Sequence, residues 1–492
     1  MPAPIRPRRA GAAAPAAALL ATLLATLLTG CAAPPVAAPP PLAQLAPAAW
    51  TAPLPHGGSA VRLADWWRAA GDDVLGALVD AALADHPDLA AAQARQAQAR
   101  AQLDADRAGL LPRADGAASA GRGNTSSVGS APAGAALPIV TTLQAGVQAS
   151  WEIDLFGRQR ALIEAAQARA EGAQALAQLA RVSLVADLAD AYYGLRLCQV
   201  LLATARREAA SRDETARLAA ISAGAGFTAP ATAALADASA ADGRARAAQQ
   251  AGACAVQRKA LVALSGLSES DLEQKMAHVR ADQAPTAIFN IVSIPADTLR
   301  QRPDLWAQER AVLAARADIA AFDAARWPAL TLNGSIGALR LRAGGQAQDF
   351  STWSFGPLQL ALPLFDGGRI AAGQAGARAR HDEAVAQYQA KVRQAVREVE
   401  TARAHGATAR AREADARRAV AGYQRAFDAT QALYRQGLAS LPQLEQARRD
   451  LLAAELALSQ LIHEQQAATV ALYRAAGGGW EPPAERRAGA AP

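Results

Sequence analysis

Apolar residues Leu143, Ala145, Val147, Ala149, Trp151 and Ile153 alternate with Gln144, Gly146, Gln148, Ser150, Glu152 and Asp154. A period of two puts the first set on one face of a strand and the second on the other. The run has about the ten residues that a tilted membrane strand needs. Leu330, Leu332, Ile336 and Ala338 predict a second strand, Leu358, Leu360, Leu362 and Leu364 a third, and Ala114 to Arg122 a weaker fourth. Gly- and Ser-rich segments, Gly123 to Pro138 and Leu341 to Thr352, read as loops between paired strands.

Elsewhere the period changes. Leu184, Leu188, Ala191, Leu195, Cys198, Leu202 and Ala205 step alternately by four and three, as do Ala447, Leu451, Ala454, Leu458 and Leu461, the spacing of a coiled-coil seam. Neither Arg158 to Ser222 nor Arg369 to Gln436 contains proline. At about 1.5 Å per residue each predicts a helix of roughly 100 Å. Short turns, Gly224 to Pro230 and Gln436 to Pro442, fold each helix back into a long antiparallel hairpin.

The same plan occurs twice. WEIDLFGR (Trp151 to Arg158) returns as PLFDGGR (Pro363 to Arg369), HPDL (His86 to Leu89) as RPDL (Arg302 to Leu305), and GFTA (Gly226 to Ala229) as GLAS (Gly437 to Ser440). A near-tandem period that long does not fit a solenoid and reads as a duplicated half-domain.

Alternation alone suits a half-buried strand of a soluble sheet equally well, and the N-terminus changes that balance. Arg6, Arg8 and Arg9 precede an apolar run, Ala10 to Leu28, and Leu28-Thr29-Gly30-Cys31 resembles a bacterial lipobox. Cys31 is then the lipidated residue, with Ala32 and not Asp next to it, which by the lipoprotein sorting rule implies the outer membrane. An ordinary signal peptide with an incidental Cys is the alternative. Ala32 to Pro55 is Pro- and Ala-rich and reads as an extended tether. No apolar run of about twenty residues follows Cys31, so no helix is expected to span a bilayer. Four strands cannot close a membrane barrel, and an open edge in lipid leaves backbone groups unsatisfied, so the chain must oligomerise.

Charge and chemistry exclude much. The net charge of +6 falls to +3 once the three arginines of the leader are removed, too little to imply nucleic acid. Aromatics are 4% and hydrophobics 51%, much of it Ala, which favours close-packed helices with small contact residues. His56, His86, His278, His381, His405 and His463 are scattered, and Ala467 stands where a zinc-protease helix beginning at His463-Glu464 would need its second His. With no phosphate-binding loop or nucleophile elbow either, no catalytic residue, metal site or cofactor is expected. Cys198 and Cys254 remain once Cys31 is lipidated, and both lie 28 residues from Gly226. Equal distance from the turn puts them at one height in an antiparallel hairpin, in an oxidising compartment, and predicts a disulfide. Two small buried core residues are the alternative.

Six motifs in order carry a resemblance: ADWWRAAGDDVLGALVDAAL (Ala64 to Leu83), SWEIDLFGRQR (Ser150 to Arg160), RQRPDLWAQE (Arg300 to Glu309), LPLFDGGRI (Leu362 to Ile370), VREVETA (Val396 to Ala402) and LYRAAGGGW (Leu472 to Trp480). Together they resemble the outer-membrane efflux lipoproteins of the TolC/OprM (NodT) type, exit ducts of resistance-nodulation-division pumps. The resemblance implies a mainly α fold with a transmembrane β part, in a homotrimer. Each protomer would give four strands to a 12-stranded β-barrel continuous with a long α-helical barrel in the periplasm. It implies as partners a periplasmic membrane-fusion adaptor, an inner-membrane pump and outer-membrane lipid, and no nucleic acid.

The expected organisation is a signal peptide (1–30), a tether (31–60), a first repeat (61–267), a linker or equatorial segment (268–295), a second repeat (296–480) and a tail (481–492). Gly157, Arg158, Gly367, Gly368 and Arg369 would mark the strand-to-helix junctions. The family's aperture lies at the hairpin tips, which points to Asp237, Tyr434, Arg435, Glu445 and Gln446. Family members often carry an Arg just before that Tyr and an Asp near Gln446. Leu433 and Gln446 stand there in this chain, so Glu445 or Asp237 is expected to supply the anionic ring. The function implied is a passive efflux duct for drugs or other toxic small molecules. The alternatives are a type I secretion exit channel and a lipid-anchored coiled-coil scaffold without a pore.

Overall fold

The computed structural model describes residues 40–51, 66–69, 72–124, 139–277 and 299–482, all within the compact unit Pro39–Pro492. Cys31 and the leader lie outside the described residues.

In chain order the elements are α1 (Leu42–Leu45), α2 (Trp66–Ala69), α3 (Asp73–Asp85), α4 (Pro87–Ala108), β1 (Arg113–Asn124), β2 (Ile139–Ile153), α5 (Arg158–Gly224), α6 (Pro230–Ser265) and α7 (Glu269–Ala277). The second half repeats the plan with α8 (Pro303–Ala324), β3 (Ala329–Ala343), β4 (Gln346–Ala361), α9 (Arg369–Arg435) and α10 (Leu441–Ala475). Pro87 and Pro303 each open a 22-residue helix, where a missing N–H costs nothing.

The strands form one antiparallel sheet in the order β1-β2-β3-β4. Gly116, Val147, Ile336 and Trp353 lie in one row across it. Their face exposes Leu143, Val147, Ile336, Trp353, Phe355, Leu358 and Leu360, whereas Gln144, Gln148, Ser335 and Ser354 occupy the other. There the Ser335 and Ser354 hydroxyls are 2.8 Å apart. A bulge between Leu332 and Gly334 resets the alternation of β4, which brings Trp353 and Phe355 to the same face as Leu358 and Leu360.

Two sequence expectations need correction. Leu341 to Thr352 is not a loop: β3 runs to Ala343 and β4 starts at Gln346, leaving a turn at Gly344 and Gly345. Both glycines have positive φ, 57° and 84°, which suits a two-residue hairpin turn, and Arg340 pairs with Asp349 across the strands beyond it. At its other end β4 stops at Ala361, two residues before Pro363, so Leu362 and Leu364 lie past the strand.

The long helices α5 and α9 have 67 residues each and pair with α6 and α10 as two hairpins. Between their ends sits the main core, where Trp66, Leu75, Leu188, Tyr192, Leu261 and Tyr473 are almost fully buried. Beside it, the RPDL motif is a buried ion cluster. Arg302 donates to both Asp304 oxygens (3.0 and 2.8 Å) and to the Ala475 carbonyl (2.9 Å), while Glu398 and Lys391 close the cluster at 2.8 and 3.3 Å. The GGGW segment packs on this motif so closely that a Cβ on Gly477 would meet the Gln301 carbonyl oxygen at 2.1 Å. Lower on the first hairpin, the Cys198 and Cys254 sulfurs are bonded at 2.08 Å with Cα atoms 5.5 Å apart, joining α5 to α6.

Candidate functional site

Two features set this fold apart from a plain helical bundle: the strand-to-helix junctions and the hairpin tips. At the first junction Gly157 has φ 77° and stands immediately before α5; at the second, Gly367 and Gly368 have φ 65° and 87° before α9. Glycine alone adopts such angles without Cβ strain, so the chain bends there. An aspartate then caps each helix. Asp154 accepts the N–H groups of Gln159 (3.2 Å) and Arg160 (3.0 Å), and Asp366 those of Gly368 (2.9 Å) and Ile370 (2.7 Å).

These contacts set the charge of both groups. Burial pushes the Asp154 carboxyl up, but the two N–H groups and the Arg160 guanidinium outweigh it and hold it below the usual carboxylate range. The N–H groups of Ile370 and Gly368 draw Asp366 down in the same way. Arg158 lies 3.6 Å from Glu152, and with Arg369, Phe156 and Trp327 it lines a cavity of about 940 Å³ shared by the two junctions. Phe156 and Trp327 stack there at 5.5 Å.

At the tips the turns expose apolar side chains, Phe227 at 85% and Leu438 at 71%. Gly226 and Gly437 supply the positive φ, and Ser440 with Gln443 forms a reciprocal capping box that starts α10. Tyr434 packs beside Ala219, Ala236 and Leu441, and burial raises its hydroxyl pKa.

One to two helical turns above, a buried polar network joins the hairpins. Arg448 on α10 binds Glu445 and donates to Ser211 Oγ and Thr215 Oγ1 on α5, both at 3.0 Å. Glu445 also accepts from Ser239 Oγ on α6 (3.2 Å), and Arg212 on α5, itself bound to Glu208, donates to that same hydroxyl (3.0 Å). Burial lowers the Arg448 pKa in spite of Glu445.

Of the five aperture candidates, the structure brings together only Tyr434 and Glu445, which feel each other electrostatically. Asp237, Arg435 and Gln446 sit on exposed helix faces, and Gln446 donates to Asp450 of its own helix at 2.8 Å.

The model of the family described as "Outer membrane efflux protein" matches residues 78–267 and 294–478, both halves of the duplicated plan. This chain belongs to the outer membrane efflux protein family. It is 32% identical over 441 residues to the outer membrane protein OprJ of Pseudomonas aeruginosa, covering 86% of this chain and 88% of the relative. The solvent efflux pump outer membrane protein SrpC of Pseudomonas putida is 29% identical over 412 residues, 83% of this chain and 86% of the relative. The solved outer-membrane channel OprN superposes with a TM-score of 0.77 at 29% identity, covering 92% of this chain and all of that one.

Within that family the sheet is the outer-membrane part and the long hairpins reach into the periplasm. The sheet has the two-faced character of a membrane barrel wall, one face apolar and the other carrying Gln and Ser.

Sequence reasoning singled out the junction glycines and missed the aspartates. Asp154 stands four positions before the start of α5 and Asp366 three before that of α9, and an acidic residue just ahead of a helix is the signal that could have found them. It also missed Arg448 and Arg212. Leu441, Leu444, Arg448 and Leu451 step by three, four and three, so Arg448 holds a seam position where an apolar side chain belongs. A charge there was the available signal.

Proposed function

We propose that three copies of this chain close a 12-stranded barrel above an α-helical barrel, forming the duct of a tripartite efflux assembly. Drugs or other toxic small molecules pass through it after an inner-membrane resistance-nodulation-division pump has selected them, and a periplasmic adaptor meets the hairpin tips. A lipid on Cys31 anchors each protomer, and residues 61–267 and 296–480 form the two repeats. The duct itself is passive and is gated at its periplasmic end.

The observation that carries the gate is the Arg448 network. It ties α10 of the second hairpin to α5 and α6 of the first, a short way above the tips. Three helices held by buried charge-assisted hydrogen bonds cannot splay apart without leaving those groups unpaired, which is costly. Opening therefore requires the network to break. In this arrangement Glu445 is a strut neutralised by Arg448, and the exposed Asp237 is the carboxylate left to face the aperture.

Planar-bilayer recording tests the reading. The native trimer should conduct poorly, and Arg448→Ala with Glu445→Gln should raise the conductance several-fold. A scaffold without a pore predicts no conductance from either protein. A pore whose conductance is unchanged by the double substitution removes the gate and leaves the duct. Similarity to OprJ and SrpC, the second described as part of a solvent efflux pump, favours small-molecule export over type I protein secretion.

A further inference from the structure

The sheet register fixes which side chains share the lipid-facing surface, and it places three arginines at one end of it. Leu143 pairs with Arg340, and Arg122, Thr141 and Arg342 lie side by side in the next row, all on the face that carries Val147, Trp151, Ile336 and Leu358. From Leu330 to Arg340 that face spans ten residues. At about 3.3 Å per residue and a tilt near 40°, this rise is roughly 25 Å, the height of the apolar band of an outer-membrane barrel. The arginines therefore emerge where the hydrocarbon ends, at the extracellular headgroup level, since the helices leave from the opposite end of the strands.

Charge at this rim is one-sided. Residues 116–147 and 333–356 contain Arg122, Arg340 and Arg342 against a single acid, Asp349, a balance of +2 per protomer. Asp349 is taken by Arg340 in a two-pronged pair at 2.5 and 2.6 Å. Among the described residues the ion pairs include none to Arg122 or Arg342, both exposed, and residues 125–138 between β1 and β2 contain no acid. Strand spacing of about 4.8 Å puts the Arg122 and Arg342 backbones roughly 10 Å apart across Thr141. Two flexible guanidinium forks at that separation can converge on one phosphate or hold two on neighbouring headgroups.

We infer that Arg122 and Arg342 form a binding site on the outer face of the barrel for the phosphates of outer-leaflet glycolipid. Acyl chains lie along the Leu143, Val147 and Ile336 band while the headgroup phosphates take the two forks. The site rests on the barrel reading above, because only a closed barrel turns this face wholly toward lipid. It adds a function to residues far from the gate: fixing the depth of the duct and holding a defined lipid annulus against it.

The test uses the purified, delipidated trimer and native mass spectrometry to count retained lipids. The probes are bis-phosphorylated lipid A, the same lipid without phosphates, and inorganic phosphate. Wild type should keep the bis-phosphorylated lipid at least roughly tenfold better than the dephosphorylated one, as expected for two cations at a headgroup surface. Arg122→Gln with Arg342→Gln should erase that preference while bilayer conductance and the trimer persist. Arg122→Lys with Arg342→Lys should recover part of it. Equal retention of the two lipids by wild type overturns the inference, and so does an unchanged preference in the Gln pair. Release of lipid by inorganic phosphate at equal concentration also overturns it, by showing a free-anion site instead. If the Gln pair does not assemble, the wild-type lipid comparison and the Lys pair decide. A wild-type protein that neither conducts nor forms trimers counts against the barrel and not against the arginines.

Discussion

Asp154 and Asp366 do the same work in the two halves of the chain: each accepts two backbone N–H groups at the start of a 67-residue helix, just past a membrane strand. Both carboxyls are held below their usual range, so both favour the folded state only while ionised. Their contribution is complete above the unfolded Asp value of about 3.9 and is lost as pH falls through the lower native values. Asp154→Ala should cost about 1 kcal/mol, the usual loss for an N-cap, and Asp366→Ala should destabilise in the same direction. Thermal melts of the trimer check this. The gap between wild type and an Asp154→Asn, Asp366→Asn pair should be full at pH 6, begin to narrow only below about pH 4, and close as pH falls through the lower native values.

Gly477 offers a sharper probe of the equatorial packing. Its φ is 83°, and a methyl group there would sit 2.1 Å from the Gln301 carbonyl oxygen, which belongs to backbone and cannot swing away. Gly477→Ala should therefore destabilise by more than about 2 kcal/mol, from backbone strain and steric clash together. Gly224→Ala is the matched control, because nothing lies within 4 Å of a Cβ at that position. Comparable melting temperatures for the two variants would contradict the tight seat.

Much of this fold was legible because its periodicities are long and pure. The heptad seam from Leu184 to Ala205 and the alternation from Leu143 to Ile153 each outrun the length at which local ambiguity confuses them. The hairpin at Gly344 and Gly345 was misread because Gly, Gln and Ser around it look like a loop, while the strand pairing of Arg340 with Asp349 is a cross-strand fact that one segment does not show. The gate network was hidden for a similar reason. Arg448 and Ser239 are over two hundred residues apart, and a polar residue on a seam declares its partner only when three helices are brought together.

The bond between Cys198 and Cys254 closes a 56-residue separation across the first hairpin. A crosslink of that span removes chain entropy from the unfolded state, typically 2–4 kcal/mol. Cys198→Ala with Cys254→Ala, or reduction, should lower the melting temperature accordingly. Intact mass of unreduced protein should fall short of the dithiol by two hydrogens. Two free thiols in protein from the periplasm would overturn the assignment.

The exposed tip residues tie the duct reading to a partner. Phe227 is 85% exposed and Leu438 71%, each at the crest of a turn whose flanking helices are otherwise packed, so neither stabilises its own protomer. Large apolar side chains held clear of the core by rigid glycine turns are suited to burial against a second protein. Burying one such side chain contributes about 1.5–3 kcal/mol, which is roughly ten- to a hundredfold in affinity. Phe227→Asp with Leu438→Asp should therefore weaken adaptor binding by at least roughly a hundredfold in surface-plasmon measurements and abolish resistance in cells. Trimer stability should stay unchanged, because no packed contact is lost, and so should conductance, because the Arg448 network above the tips is intact. Full adaptor affinity in that variant would place docking elsewhere along the hairpins and leave the apolar tips without a partner.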